Sequence, residues 1–214
     1  MPYRRTENVT RRLAARHAAI IAAARQAASE GGMAAVQIVP VALRAGIATG
    51  TVYRYFPGKL DLVAALLAEI SEREVAALRS AAAAAPGPLS ALSAAIMTFA
   101  MRALRERRLA FAAIAEPVDA DMNEVRHSFR RELAGEFASL IATAIAGKRL
   151  PEQDATLAAA ALLGILVEGL VGPLAPDAAG REIVQSLTLV ALRALGVADA
   201  RARGLVVQTV ISDQ

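Results

Sequence analysis

The chain has 214 residues, of which 56% are hydrophobic, so it can bury a core in one large or two small domains. It contains no cysteine, which excludes a disulfide framework and any thiolate-based site. Residues 1–60 carry nine Lys or Arg against two Glu, whereas the remaining residues are close to neutral. This imbalance favours a polyanionic partner at the N-terminal end, although arginines that only solvate alanine-rich helices would give the same count.

The hydrophobic periodicity predicts an all-α chain, and no β-hairpin pattern is present. Apolar residues spaced three and four apart predict a first helix over about 10–30, which Gly31 and Gly32 end. Further helices are predicted at about 38–45, 49–55, 57 to beyond 78, 89–107, 109–116, 120–146, 152–172 and 177–195. The β-branched tail 201–214 is compatible with a strand, a docked arm or disorder.

The second and third predicted helices are joined by the short segment "AGIA", which is typical of a helix-turn-helix. The small residues Ala42 and Gly46 would let the two helices pack closely around a tight turn. Val41, Ile47 and Val52 would fill the core between them. The third helix is then free to present its other face to a partner.

That helix concentrates hydroxyl groups and cations in a chain with only 4% aromatic residues. The residues predicted to face outward are Thr49, Gly50, Thr51, Tyr53, Arg54 and Tyr55. Hydroxyls and cations on such a helix suit a DNA major groove, where they can bind phosphates and an arginine can bind a guanine edge. Lys59 opens the next helix, where its charge and the free N–H groups both favour a phosphate. A purely structural role is the alternative, and for Phe56 a core position is favoured.

The stretch "GIATGTVYRYFPGKLDL" closely resembles the recognition segment of the TetR family of bacterial transcriptional regulators, and the resemblance extends over residues 16–72. It implies a helix-turn-helix DNA-binding domain over 1–58, a larger helical domain over 59–200 that dimerises and holds a small effector, and a tail over 201–214. The resemblance also implies that Tyr53, Tyr55 and Lys59 contact phosphates and that Thr49, Thr51 and Arg54 face the groove, with Gln37 and Gly50 on the same surface.

The chain departs from the family pattern at two helix starts. Gln37 stands where the family usually has a Ser or Thr cap, and Ala48 stands where it usually has a Ser cap. Each missing cap costs about 0.5–2 kcal/mol of helix stability. We therefore expect weaker or shifted DNA binding but an unchanged fold.

The larger domain offers candidate effector-binding residues that are ordinary core residues in the alternative interpretation. Aromatic and polar side chains near apolar faces form the candidate set: Phe99, Arg102, Phe111, Glu116, His127 and Glu168. A lone histidine such as His127 is more often structural. Glu168 interrupts a long apolar run, which suggests either a polar group in a pocket or a hydrogen-bonded group at a dimer contact.

Two strongly apolar helices, 156–170 and 187–197, look like the pair that forms the dimer interface in the family. The small residues Ala158, Ala161 and Gly164 would allow close contact. The segment Ala155–Ala175 is also long enough to span a bilayer, but it is mostly alanine and contains Glu168, so a buried packing helix is the preferred interpretation.

The sequence thus predicts a cytoplasmic homodimer that binds an inverted repeat in double-stranded DNA and a small effector. A repressor is the common role in the family, and an activator or a membrane-associated helical protein are the alternatives. No catalytic group, metal site or cofactor is predicted, because the two histidines lie far apart and no metal-binding or nucleophile motif is present.

Overall fold

The computed structural model describes residues 3–177 and 180–209, with side chains from residue 7 onward. Within these residues the chain forms ten α-helices: α1 (Tyr3–Gly31), α2 (Ile38–Arg44), α3 (Thr49–Tyr55), α4 (Lys59–Ala83), α5 (Pro88–Arg105), α6 (Arg107–Ile114), α7 (Ala120–Ala146), α8 (Ala155–Leu170), α9 (Arg181–Ala194) and α10 (Asp199–Gln208). A short 3-10 turn, Met33–Ala35, joins α1 to α2. The described part of the chain contains no strand, so the predicted all-α class is confirmed.

The turn between α2 and α3 is the tight helix-turn-helix connection that the sequence predicts. Gly46 has φ +66°, and its N–H and that of Ile47 donate to the carbonyls of Leu43 and Ala42 at 3.1 Å, which is a Schellman end to α2. A Cβ at Gly46 would meet nothing within 4 Å. Glycine is therefore needed here for its left-handed backbone and not, as we expected, for space.

The core of the helix-turn-helix contains the residues expected there. Val41 and Val52 are fully buried, and Ile47 packs against them at the edge of the core. Neither α2 nor α3 has a side-chain cap at its first residue, as the sequence pattern indicates for Gln37 and Ala48. Helix formation in this region therefore depends on packing.

The long helix α4 joins the two ends of the molecule. It begins at Lys59, directly after the helix-turn-helix, and buries a stripe that includes Leu62, Leu66 and Ile70. It packs against α1, α5 and α7. Because α1 also packs against α6, the N-terminal helices and the larger helical body share one continuous apolar core.

Several helix bounds differ from the sequence expectation, including the start of α9 at Arg181, which was predicted at about 177. The helix α1 begins at Tyr3 and not near residue 10, since the segment 3–9 has no glycine or proline to end it. The helix α8 begins only after Asp154, whose carboxylate accepts hydrogen bonds from the N–H groups of Thr156 and Leu157 at 2.8 and 3.0 Å. Part of the tail forms α10, which buries Ala202 and packs on α9 and α5.

Residues 210–214 of the predicted tail lie outside the described residues. Among the residues that the structure does describe, no helix combines the length and the apolar character needed to cross a membrane.

Candidate nucleic-acid interface and effector cavity

The outer face of α3 carries the groups expected to meet DNA. Gly50, Tyr53 and Arg54 are exposed, with half of the Tyr53 side chain accessible. Thr49 and Thr51 are partly buried on the flanks of the same helix. The sequence-predicted groove-facing residues are therefore brought together on one short helix.

Arg54 and Lys59 keep their charges unpaired, whereas a neighbouring arginine does not. The side chain of neither residue has a hydrogen bond or an ion pair with any described residue. Arg44 instead donates to both carboxylate oxygens of Glu30 at 2.8 and 2.6 Å. This hydrogen-bonded pair lowers the pKa of Glu30 and raises that of Arg44. Arg54 and Lys59 are thus the cations near α3 that a phosphate or a base can use directly.

Tyr55 does not face outward as we expected. Its ring is half-buried against the core, and its hydroxyl donates a long hydrogen bond of 3.4 Å to the Leu13 carbonyl in α1. The rings of Tyr55 and Phe56 both lie beside His17, with centroids 6.3 and 5.2 Å from it. Tyr55 therefore joins α3 to α1 through its ring and its hydroxyl.

The exposed face of α2 carries apolar residues that the sequence reasoning missed. Val39 and Leu43 are 61% and 83% exposed on this seven-residue helix. Gln37, just before it, is exposed and donates from Nε2 to the Ala34 carbonyl at 3.0 Å. The available signal was the three-to-four spacing that sets Val39 and Leu43 on the side opposite the buried Val41.

A partly open cavity of about 190 Å³ lies where α1 meets α4, α5, α6 and α7. Its apolar walls come from Ile70, Phe99, Ala103, Leu109, Ala110, Ala113, Ile114 and Phe129, and its charged groups are Arg25, Glu74, Arg102, Arg105 and Glu106. Two of the six predicted effector-binding residues, Phe99 and Arg102, line it. A pocket with apolar walls and a few polar groups is the usual form of a small-molecule site.

Charged side chains that line this cavity form ion pairs with one another. Arg102 donates from Nε and Nη2 to the two carboxylate oxygens of Glu74 at 2.9 and 2.8 Å, which raises the pKa of Arg102. Arg25 of α1 pairs with Glu106, the residue between α5 and α6. Sequence reasoning missed Arg25, Glu74 and Glu106. The signal for the first two was their position one helical turn after the buried residues Ile21 and Ile70.

The structure does not bring the other four candidates to this cavity. Phe111 is a partly buried residue packed against the core, and His127 is an exposed residue 3.7 Å from the Glu124 carboxylate. Glu168 folds over the C-terminal end of α8, where it accepts a hydrogen bond from the Leu174 N–H at 3.1 Å. Its role here is to satisfy the backbone after the helix ends.

Glu116, the fourth of these candidates, links the larger domain to the N-terminal helices. Its Oε2 accepts a hydrogen bond from the Met33 N–H at 2.8 Å. A Cβ at Gly32, which has φ +73°, would lie 2.6 Å from the Glu116 Oε1. Glycine at this position is therefore required both by its backbone conformation and by the close approach of the carboxylate.

The helices α8 and α9 expose an apolar face. On α8 the exposed stripe contains Leu157, Ala161 and Gly164, and on α9 it contains Val190 and Ala194. Leu157 and Val190 are 69% and 50% exposed. A contiguous apolar face on two adjacent helices is typical of a protein–protein interface.

A family profile, "Bacterial regulatory proteins, tetR family", matches residues 20–66, which contain the helix-turn-helix. Two HTH-type transcriptional repressors named KstR share short segments with the chain. The protein from Rhodococcus jostii is 54% identical over 46 residues, and that from Mycobacterium tuberculosis is 52% identical over 59 residues. The chain thus spans 22% and 27% of the length of these relatives, and the matched segments are 22% and 27% of this chain.

Solved structures resemble the chain over nearly its whole length. RolR in complex with resorcinol covers 96% of this chain and is itself fully covered, with a TM-score of 0.72 at 21% identity. FadR from Bacillus subtilis in complex with stearoyl-CoA covers 84% of this chain, with 98% of its own length covered and a TM-score of 0.72 at 19% identity. At these identities the likeness shows a shared fold. Over residues 20–66 the chain is therefore similar to the tetR family of bacterial regulatory proteins, and over most of its length it shares the fold of the solved structures named here.

Proposed function

We propose that this protein is a sequence-specific DNA-binding transcriptional repressor, which a small apolar or amphipathic effector releases from an inverted-repeat operator. The observation that carries this proposal is the outer face of α3, which presents Tyr53 and the unpaired Arg54 beside the unpaired Lys59. Cations left without intramolecular partners on a short exposed helix are suited to DNA phosphates and base edges. Repression is proposed because the relatives from Rhodococcus jostii and Mycobacterium tuberculosis are repressors.

The proposed assignment of functions to parts of the chain follows the pattern of the TetR family. We assign DNA binding to residues 1–58, effector binding and dimerisation to residues 59–200, and no separate function to the tail 201–214. The protein is proposed to act in the cytoplasm, where its DNA target lies. The similarity of residues 20–66 to a family of regulatory proteins supports a role other than catalysis.

The homodimer is proposed from the apolar face of α8 and α9. Leu157 and Val190 would be costly to leave in water, and Gly164 leaves room for a second backbone to approach, since a Cβ there would meet nothing within 4 Å. Stable obligate interfaces bury upwards of about 2,000 Å², which two helices from each protomer can supply. Ile165 and Leu187 extend the same face as partly buried residues.

The effector is proposed to bind the cavity that Phe99 and Arg102 line. The solved relatives named above bind resorcinol in one case and stearoyl-CoA in the other. Both α4, through Ile70 and Glu74, and α1, through Arg25, contribute to the wall of this cavity. A ligand there acts on the two helices that carry the helix-turn-helix. The coupling is reciprocal, so an effector that weakens DNA binding binds more weakly to the DNA complex by the same factor.

The test is fluorescence anisotropy with the duplex from upstream of the protein's own gene and a scrambled duplex of equal length. We expect the upstream duplex to bind at least about 1,000-fold more tightly, as sequence-specific regulators do. Both affinities should fall as salt rises. Equal affinity for the two duplexes at every salt concentration would contradict the proposal for this DNA, and no binding to either would contradict it altogether.

A further inference from the structure

One charged residue that lines the cavity comes from the N-terminal helices. Arg25 lies on α1, and its side chain is 21% exposed. Its Nη2 pairs with Oε2 of Glu106, and its Nη1 lies 3.6 Å from Oε2 of Glu69 on α4, too far for a hydrogen bond. That Glu69 oxygen is buried without a hydrogen-bond partner among the described residues. Arg25 is therefore held by one hydrogen-bonded ion pair and by one longer contact with a carboxylate.

The two arginine pairs in the cavity differ in how firmly they are held. Glu74 binds Arg102 through two hydrogen bonds, and its own side chain is largely buried. Glu106 holds Arg25 through a single contact, and half of the Glu106 side chain is exposed to water. Exposed ion pairs of this kind contribute little free energy, so a ligand can exchange for Glu106 more easily than for Glu74.

The charge and size of the cavity favour a particular kind of molecule. Its charged lining consists of three arginines and two glutamates, and arginine is the side chain that most often binds a carboxylate. Its volume of about 190 Å³ is somewhat larger than the roughly 150 Å³ apolar cavity known to hold benzene. The rings of Phe99 and Phe129 on its walls suit the face or edge of another aromatic ring.

We propose that the cavity binds a single-ring aromatic monoanion whose carboxylate pairs with Arg25 in place of Glu106. This inference rests on the proposed function, because it gives the effector a chemical class. A carboxylate suits the planar guanidinium, which can donate two parallel hydrogen bonds. Because Arg25 belongs to α1 and Glu106 lies between α5 and α6, the exchange breaks a contact between the N-terminal helices and the larger domain.

The first experiment measures ligand binding to the full chain by calorimetry, without DNA. The probes are benzoate, benzamide and benzylamine with their 4-methyl derivatives, which share a ring and differ in charge at neutral pH. We expect the benzoates to bind at least about tenfold more tightly than the benzamides and the benzylamines. Equal affinity across the three charges, or no binding of either benzoate up to about 5 mM, would overturn the inference.

Variants then test the role of Arg25 with effects of opposite sign. Arg25→Met should weaken benzoate binding at least about tenfold, whereas Glu106→Gln should strengthen it several-fold because the competing carboxylate is gone. Arg79→Met is the matched control, since Arg79 pairs with Glu136 between α4 and α7 outside the cavity lining. Unchanged binding in Arg25→Met or weaker binding in Glu106→Gln would refute the assignment of Arg25.

These measurements separate the inference from the proposed function. A protein that binds benzoate through Arg25 but no specific DNA would refute the proposed function alone. A protein that binds specific DNA but shows no preference for the anion would refute this inference alone.

Discussion

At the scale of single residues, the proposed function assigns the contacts with DNA to the unpaired side chains of Arg54 and Lys59 beside α3. Lys59 is the first residue of α4. The N–H groups of the first helical turn have no partner within the helix, and both they and the Lys59 ammonium favour an anion. Arg54 lies near the end of α3 and is exposed. Lys59 is suited to a phosphate, which is present in every DNA sequence. Arg54 is suited to a base edge, which differs between sequences.

Lys59→Ala should weaken binding to all DNA sequences alike. A lost phosphate contact lowers the affinity for every sequence and leaves the discrimination between sequences unchanged. The substitution should also reduce the slope of log affinity against log salt by about one unit. The measurement is anisotropy at several salt concentrations. Arg201→Ala, which removes an exposed cation on α10, is the control and should leave the slope unchanged.

Arg54→Ala should instead relax the preference at one base pair in each half-site. A guanidinium that binds a guanine edge contributes about 1–3 kcal/mol of discrimination against other bases. The measurement is competition among duplexes that each carry one substituted base pair. If the order of preference among those duplexes stays the same in the variant, Arg54 does not lie in the groove.

Sequence reasoning at this scale succeeded for Phe56, which is buried, and for the exposed Tyr53 and Arg54. It failed for Tyr55, because helical spacing alone does not show that α1 passes close enough to accept a hydrogen bond from its hydroxyl. The same limit explains why Arg25 was missed, since its partner Glu106 lies 81 residues further along the chain.

At the scale of helices, the sequence predicted most bounds from local signals. Both ends of α3 and α7 coincide with the predicted ones, and Asp119 caps α7 through a hydrogen bond from the Met122 N–H at 2.9 Å. The helix α10 was not predicted, because the β-branched residues of the tail disfavour a helix. Burial of Ala202 and its neighbours against α9 and α5 outweighs that local preference.

The Glu30–Arg44 pair, which joins the end of α1 to the end of α2, should make stability depend on pH. The pKa of Glu30 is lowered in the folded chain by the hydrogen bond from Arg44, so the pair contributes stability above the unfolded pKa of about 4.5 and loses it as the pH falls through the lower folded value. The difference in Tm between the wild type and Glu30→Gln should therefore be present near pH 6 and should shrink as the pH falls below about 4.5. Glu72→Gln, at an exposed position on α4, is the control and should show no such trend.

The apolar face of α8 and α9 gives a second prediction at this scale. Leu157→Asp or Val190→Asp should convert the dimer to a monomer with unchanged helix content, because both side chains are exposed in the protomer. Light scattering at micromolar concentration and circular dichroism measure the two quantities. Leu166 and Leu192 are unsuitable for this test although they lie on the same helices, because they are fully buried in the protomer and their replacement would unfold it.

Val207→Asp provides the control for this experiment, since Val207 is an exposed apolar residue on α10. It should remain dimeric. Dimers that persist in both Leu157→Asp and Val190→Asp would show that this face is not the interface.

At the scale of the whole molecule, α4 connects the helix-turn-helix to the cavity. One rigid helix carries Lys59 at its start and Ile70 and Glu74 at the cavity wall. The N-terminal helices are also held to the larger body by the Arg25–Glu106 pair and by the hydrogen bond from Met33 to Glu116. In the proposed mechanism, a ligand that shifts these contacts changes the orientation of α3 in each protomer and hence the separation of the two α3 helices in the proposed dimer.

The most direct test of the central claim, that two α3 helices of a homodimer read DNA, is selection of bound duplexes from a random pool followed by sequencing. The account predicts an enriched inverted repeat whose half-site centres are separated by about 34–36 Å, one helical turn, or a multiple of it. It also predicts that this repeat disappears from the pool selected by a variant that no longer dimerises. Enrichment of a single non-repeated site, or of no sequence at all, would contradict it.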